Sequence, residues 1–327
     1  MKLALVGDVM LGRLVNRGLK SMEPEYPWGD TLPLFASADW RGCNLECVLA
    51  DRGVRWSATP KAFHFRSDAK NVAVLKSAHI DVVSLANNHV LDFGYKALRS
   101  TLSILDTAHI EHAGAGADLA AAALPVISTV GITRLGFVAF TDNEPGWEAT
   151  PKRPGIFYLP IDPKDDRARM LFDVVSRTRS EADILVVSAH WGPNRGCRPL
   201  AEHIRFAHRL VEGGADLVFG HSGHVFRGIE LYERRPIIYC AGDFVDDYAV
   251  DAIERNDESF IFVFETSGSE LSRILLYPIL IADCQARRAR GADALRIDAK
   301  METLCLELGT SPVVRHEAGG CLEIPIP

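Results

Sequence analysis

No stretch of the chain reaches 18 consecutive apolar residues free of charge, so no transmembrane helix is expected. The opening MKLALVGDVMLGR begins like a leader peptide. Its apolar run, Leu3 to Val6, is too short for one, and Asp8 and Arg13 interrupt it. It reads as a first strand. As the sequence stands a cytoplasmic protein is expected, membrane-associated only through an anchor lying outside it. Paired cysteine spacings are also missing. The seven cysteines are scattered, and the nearest two, Cys43 and Cys47, do not form a C-x2-C knuckle. An odd, unpaired set fits reduced thiols buried as small hydrophobes. A basic surplus is lacking as well. The net charge of −7 argues against general nucleic-acid binding, while a small anionic substrate at a locally positive site stays open.

Low-complexity linkers and internal repeats are absent from the 327 residues, of which 47% are apolar and 24% charged. Those are the proportions of a globular protein. We read residues 1–327 as a single domain, with residues 258–327 supplying C-terminal strands and a helix that complete the same core. Strand-like runs alternate with helical patterns. KLALVGDV is a strand. Ser67 to Ala78 fits a helix capped by Ser67, Ile80 to Ala86 a buried strand, and Tyr95 to Ala108 a helix. Leu124 to Asp142 reads as two strands joined at Gly131. The next helix opens with Asp162 as cap, Pro163 at its first position and Asp165 in its first turn. ADILVVSAH and ADLVFGH are strands, and LAEHIRFAHRLVEGG between them is a helix. FRGIELYERRPIIYCAGDF, SFIFVFETSG and SRILLYPILIA read as consecutive antiparallel strands, and DALRIDAKMETLCLELG as a last helix. NRGLKSMEPEYPWGDTLPLF, rich in Pro, Gly and Trp, reads as an ordered surface loop. The pattern predicts an α/β fold of sheets covered by helices, with ligands at the carboxyl ends of strands.

Several apolar runs end in polar side chains there: Asp8, Asn44 with Glu46, Asn88 with His89, His190, and His221 with His224. Carboxylate, amide and imidazole together suit a borderline divalent ion such as Mn, Fe or Zn. Two such ions about 3.5–4 Å apart would clamp a phosphoryl group and generate hydroxide near neutral pH. Each residue alone has an ordinary explanation as a cap, a turn or a satisfied core histidine. Their coincidence at successive strand ends favours a joint site. His64, His79, His109, His112, His203, His208 and His316 are read as structural or solvent-facing. Arg13 offers a guanidinium to a phosphate or carboxylate, or else forms a surface salt bridge. Arg195 and Arg198 follow HWGPN and would make the crevice locally positive. Asp246, Asp247 and Asp251 read as a solvated acidic loop, with Asp243 left open between that loop and one wall of the site.

In order along the chain, GDVMLGR, NLE, SLANNHVLDFG, HWG and GADLVFGHSGHV resemble the CapA family of bacterial poly-γ-glutamate capsule synthesis proteins. That family belongs to the calcineurin-like metallophosphoesterase superfamily, and the likeness runs from about Leu3 to about Tyr248. The resemblance implies a four-layer α/β/β/α sandwich with a dinuclear metal site. It implies Asp8, Asn44, Glu46, Asn88, His190, His221 and His224 as metal residues, with Glu46 as the bridging carboxylate. His89 would be the catalytic histidine, oriented by Asp92. From their own positions in the sequence, Arg13 and Arg195 are expected to face the substrate. Met10 stands where the superfamily's first motif carries a histidine, which leaves the second metal position in question. The activity implied is metal-dependent hydrolysis of a phosphoester or a γ-glutamyl amide, with His89 as general acid. The alternative is a non-catalytic accessory protein that binds poly-γ-glutamate during synthesis or export.

Overall fold

In the computed structural model of the protein the described residues are 1–311, 314–316 and 320–327, with 314–316 described by their backbone alone. The side chain of His316 therefore lies outside them. Two sheets form the centre of the fold. In the first, Lys2–Val9, Trp40–Leu45, Val82–Ser84 and Glu111–Ala113 run parallel. Glu258–Ser267 extends this sheet antiparallel to Lys2–Val9, and Glu270–Ala282 follows it. In the second sheet Thr133–Thr141, Ile184–His190, Leu217–His221 and Arg235–Ile238 run parallel, flanked by Val126–Val130 and Ile229–Tyr232.

Alternation along each strand divides its side chains between two cores. Leu3 and Leu5 face the second sheet, while Ala4 and Val6 face helices. Val186 points inward, whereas Leu185 and Val187 point to the opposite helical layer. Phe219 meets Phe262 at 5.4 Å and Trp40 meets Phe137 at 6.0 Å across the inter-sheet core. Leu75, Leu98 and Leu105 cover the outer face of the first sheet. Leu171, Val175, Phe206 and Leu210 cover the second. The result is the four-layer α/β/β/α sandwich expected from the resemblance. Ile297, Met301, Leu304 and Cys305, on the last helix Gly291–Glu307, enter the inter-sheet core. Among the described residues no helix is long and apolar enough to cross a membrane, and all seven cysteines are free thiols.

Four local expectations are corrected. Ser67 caps no helix. It pairs with Leu49 in a two-residue strand, and the helix begins at Val72. The helix expected from Asp162 starts at Asp166, with Asp165 as its cap. The Pro- and Trp-rich segment is not merely a surface loop. It holds the helices Arg13–Gly18 and Leu32–Ala36, and it buries Trp28, whose indole donates to the Val74 carbonyl at 2.7 Å. The run through AGDF is not one antiparallel series either. After the Ile229–Tyr232/Arg235–Ile238 hairpin the chain crosses to the first sheet, where Asp243–Val245 lies parallel to Lys2–Val9.

Candidate metal centre

The crossing brings strand tips from both sheets together. Asp8 is in register with Asn44 on one side and Asp243 on the other. His190 is in register with His221 in the second sheet. Close approach is needed where the tips meet: a Cβ on Gly7 would stand 1.9 Å from the Gly242 carbonyl oxygen, so only glycine fits. Ser222, in the turn between His221 and His224, adopts a φ of 100°, a conformation L-residues rarely hold. That turn aims its N–H at Asp8 Oδ2, 3.2 Å away.

Two sets of ligand atoms result, each lying within 4.8 Å of one another: Asp8, His190 and His221, and Asp8, Glu46 and Asp243. All five residues are at most 1% exposed. Ligands of one tetrahedral ion stand about 3.4 Å apart, given bonds of about 2.1 Å. Asp8 Oδ1 and His221 Nδ1 are 3.4 Å apart, the two imidazole Nδ1 atoms 2.9 Å, and Asp8 Oδ1 and His190 Nδ1 3.9 Å. Ser188 Oγ lies 2.8 Å from His221 Nε2 and orients that ring. Asp8 is common to both sets.

The remaining expected residues surround these sets. Asn44 donates to Asp8 Oδ1 at 2.7 Å and accepts from Asn87 at 3.0 Å, so both ends of its amide are engaged in holding Asp8. Asn88 Oδ1 lies 3.2 Å from His190 Nε2. His89 Nδ1 is 2.6 Å from Asp92 Oδ2, which also accepts the Phe65 N–H. The ring's Nε2 is turned toward Glu46 Oε1, 3.8 Å away. Phe65 stacks on the His89 ring at 3.9 Å. His224 lies outside both sets, its Nδ1 3.1 Å from Asp243 Oδ1. Met10 is fully buried in the outer core, its sulfur accepting the Gly12 N–H.

A pocket of about 550 Å³ opens above the centre, lined in part by Arg13, Lys61, Phe63, His89, His224 and Tyr248. Arg13 pairs with Asp247 at 3.3 Å, and its guanidinium lies 5.9 Å from the rings of Phe63, Phe65 and Tyr248. Arg195 stands exposed at the rim, 3.9 Å from Asp251. Arg198 turns away and pairs with Glu307. Asp246 and Asp247 are buried rather than solvated, because their loop folds beneath the turn after the first strand, where Asp247 accepts the Leu14 N–H. His203, read as structural, lies 3.3 Å from Asp142, whose carboxylate also receives Gly192 N–H and so steadies the loop after His190. Lys61 escaped the sequence reading. It is nearly buried, donates to the Asn88 carbonyl, and pairs with Asp92 at 3.5 Å and Glu144 at 3.2 Å. A lysine in SATPKAFHF has no periodic neighbours to mark it.

Electrostatics favour a cation. Burial, with Asp243 next, raises the pKa of Asp8 to about 8. Burial and the charges of Asp8 and Asp243 push Glu46 well up too. Burial lowers His221 to about 3, and burial plus His221 hold His190 well below the usual imidazole range. Both imidazoles are therefore neutral, with lone pairs free to ligate. Burial opposes charge on His224, yet Asp243, Asp8 and Asp246 together outweigh it and raise its pKa to about 9. Among the described residues, Glu46 Oε2 and Asp243 Oδ2 are buried without a hydrogen-bond partner. Neutral imidazoles beside crowded, unpartnered carboxylates fit a divalent ion, because like charges this close need a counter-charge between them.

The profile of the family described as bacterial capsule synthesis protein PGA_cap matches residues 2–248. Over 324 residues the chain is 32% identical to a Mycobacterium tuberculosis protein named "Probable polyglutamine synthesis accessory protein", covering 95% of this chain and 85% of that one. It is 27% identical over 309 residues to the PGA biosynthesis protein CapA of Bacillus subtilis, covering 93% of this chain and 77% of that one. Among solved structures, a hypothetical protein from Thermus thermophilus shares the fold, with a TM-score of 0.51 at 17% identity over 85% of this chain and 98% of that one.

Proposed function

The chain belongs to the bacterial capsule synthesis protein family PGA_cap, and from that footing we propose that it is a metal-dependent hydrolase of phosphoesterase type serving poly-γ-glutamate capsule metabolism. The observation that carries this reading is the pair of ligand sets meeting at Asp8, with His89 and Asp92 beside them. Divalent ions bound there would polarise the substrate and lower the pKa of water toward neutrality. Asp8, Glu46, His190 and His221 would hold them, with Asn88 and His224 at the edge and Asn44 fixing Asp8. Arg13 and Arg195 would receive the anionic substrate at the pocket, with Lys61 steadying the Asn88 turn below.

His89 would donate a proton to the leaving group from Nε2, while Asp92 stabilises the charged ring through Nδ1. Burial, with Lys61 next, keeps the pKa of His89 well down, so its charged form is a strong acid but scarce at neutral pH. Turnover should therefore peak on the acid side of neutrality, falling at lower pH as the ligands protonate and, already below pH 7, as His89 loses its proton. His89→Ala should lower turnover of p-nitrophenyl phosphate or bis-p-nitrophenyl phosphate by about 10²–10⁴-fold with bound metal unchanged. If the native protein turns over neither ester, nor poly-γ-glutamate, with Mn, Fe or Zn added, the hydrolase reading fails.

A second reading is supported by the rim, where Arg13 lies among three aromatic rings, and by the accessory role in the mycobacterial relative's name. In it the pocket binds a polyglutamate chain without cleaving it. Calorimetric titration of poly-γ-glutamate into metal-loaded protein would then give tight binding and an intact polymer.

A further inference from the structure

Tyr248 lines the pocket above the centre, yet its Oη is buried with no hydrogen-bond partner among the described residues. An unmade bond at a buried hydroxyl is costly, and in a pocket wall it marks a place for a ligand atom. We propose that the Tyr248 hydroxyl is a further catalytic residue: it donates a hydrogen bond to a non-bridging oxygen of the substrate's phosphoryl group, a bond that strengthens as negative charge builds there in the transition state. This rests on the hydrolase reading above and adds a residue to it.

The ring is fixed before any substrate arrives. The Asp246 side chain accepts the Tyr248 N–H at 2.7 Å and closes a turn after the strand Asp243–Val245. His224 meets the ring edge-on at 5.1 Å, and Phe65 lies 5.9 Å away. Phe65 also stacks on His89 and lies under the Arg13 guanidinium. It is thus the common neighbour of Tyr248, Arg13 and His89, which puts the phenol in one wall with the residues read as anion anchor and acid. Burial first, then the charges of Glu46, Asp243, Asp246 and Asp8, push the phenol's pKa well up, so it keeps its proton and remains a donor. Glu46 acts on it most strongly of these charges, which puts the hydroxyl on the centre's side of the ring. A donor already in place needs no reorganisation when the oxyanion develops.

Tyr248→Phe removes the hydroxyl and keeps the ring. Loaded with Mn²⁺, the variant should turn over p-nitrophenyl phosphate or bis-p-nitrophenyl phosphate about 10²-fold more slowly than native protein. Calorimetric titration should show inorganic phosphate binding to it about tenfold more weakly. Bound Mn²⁺ should be unchanged, and the metal-free variant should melt no lower than metal-free native protein, because the hydroxyl has no partner to lose. Unchanged turnover or unchanged phosphate binding would overturn the assignment and leave the hydrolase reading standing. So would a loss of either accompanied by lost Mn²⁺ or a lower melting temperature, since the hydroxyl would then hold the protein and not the substrate. Native protein that neither cleaves these esters nor binds phosphate would sink the hydrolase reading, and the assignment with it.

Discussion

Asp8 belongs to both ligand sets, so its ionisation governs how the centre answers pH. Its pKa rises from 3.8 to about 8, through burial first and Asp243 second. A carboxyl whose folded pKa exceeds its unfolded value stabilises the fold only while protonated. Metal-free protein should therefore lose stability as pH climbs from about 4 through about 8. A cation must displace that proton, so binding below pH 8 releases it and metal affinity rises with pH. Titrating Mn²⁺ at pH 7 in buffers of different ionisation enthalpy should show net proton release, from Asp8 and Glu46 together; heats independent of the buffer would contradict this. Asp8, Glu46, His190 and His221 were legible because each ends an apolar run. Asp243 was not, since AGDFVDDYAVD offers four aspartates with nothing local to distinguish them. The pairing with Lys2–Val9 selects one of them, and no window around Asp243 contains it. Lys61 is hidden for the same reason: the Asn88 carbonyl, Asp92 and Glu144 all reach it from other loops.

The helix Asp166–Glu181 shows how neighbouring signals compete within one segment. Asp162 and Pro163 make a fair start signal, yet the Asp162 side chain accepts the Lys164 N–H and closes a turn instead. Asp165 is the cap, accepting the Arg167 N–H at 2.9 Å and gripping the Arg167 guanidinium as well. That side-chain bond, with the backbone bond next, lowers its pKa to about 2. A depressed carboxylate stabilises above its unfolded pKa and loses the effect as pH falls through the folded one. Asp165→Ala should cost about 1 kcal/mol in urea unfolding at pH 7, and the cost should shrink toward pH 3; an equal cost at both would deny the ionic part. Ser67 failed as a cap for a related reason. A two-residue strand pairing with Val48–Leu49 claims its backbone, and helical periodicity cannot register a partner from another segment. Long, strongly patterned segments such as Gly94–Ala108 and Ile184–His190 leave no such competition, and there the pattern and the structure agree within a residue or two.

Sheets covered by helices were readable because both faces of each central strand are apolar, a pattern that only a sheet covered on both sides can satisfy; the four-layer order came from the family resemblance. The crossing between sheets after Ile238 was not readable, because the same apolar run would extend either sheet equally well. Yet that crossing builds the centre, by carrying Asp243 to Asp8 while His190 and His221 arrive from the other sheet. The molecule thus spends its inter-sheet seam on a cluster of buried charge that packing alone would disfavour. Anomalous diffraction from crystals grown with Mn²⁺ tests this most directly. The account predicts two peaks about 3.5–4 Å apart, one against His190 and His221, one against Glu46 and Asp243, with Asp8 touching both. No peak at the seam, or peaks only at surface carboxylates, would contradict it.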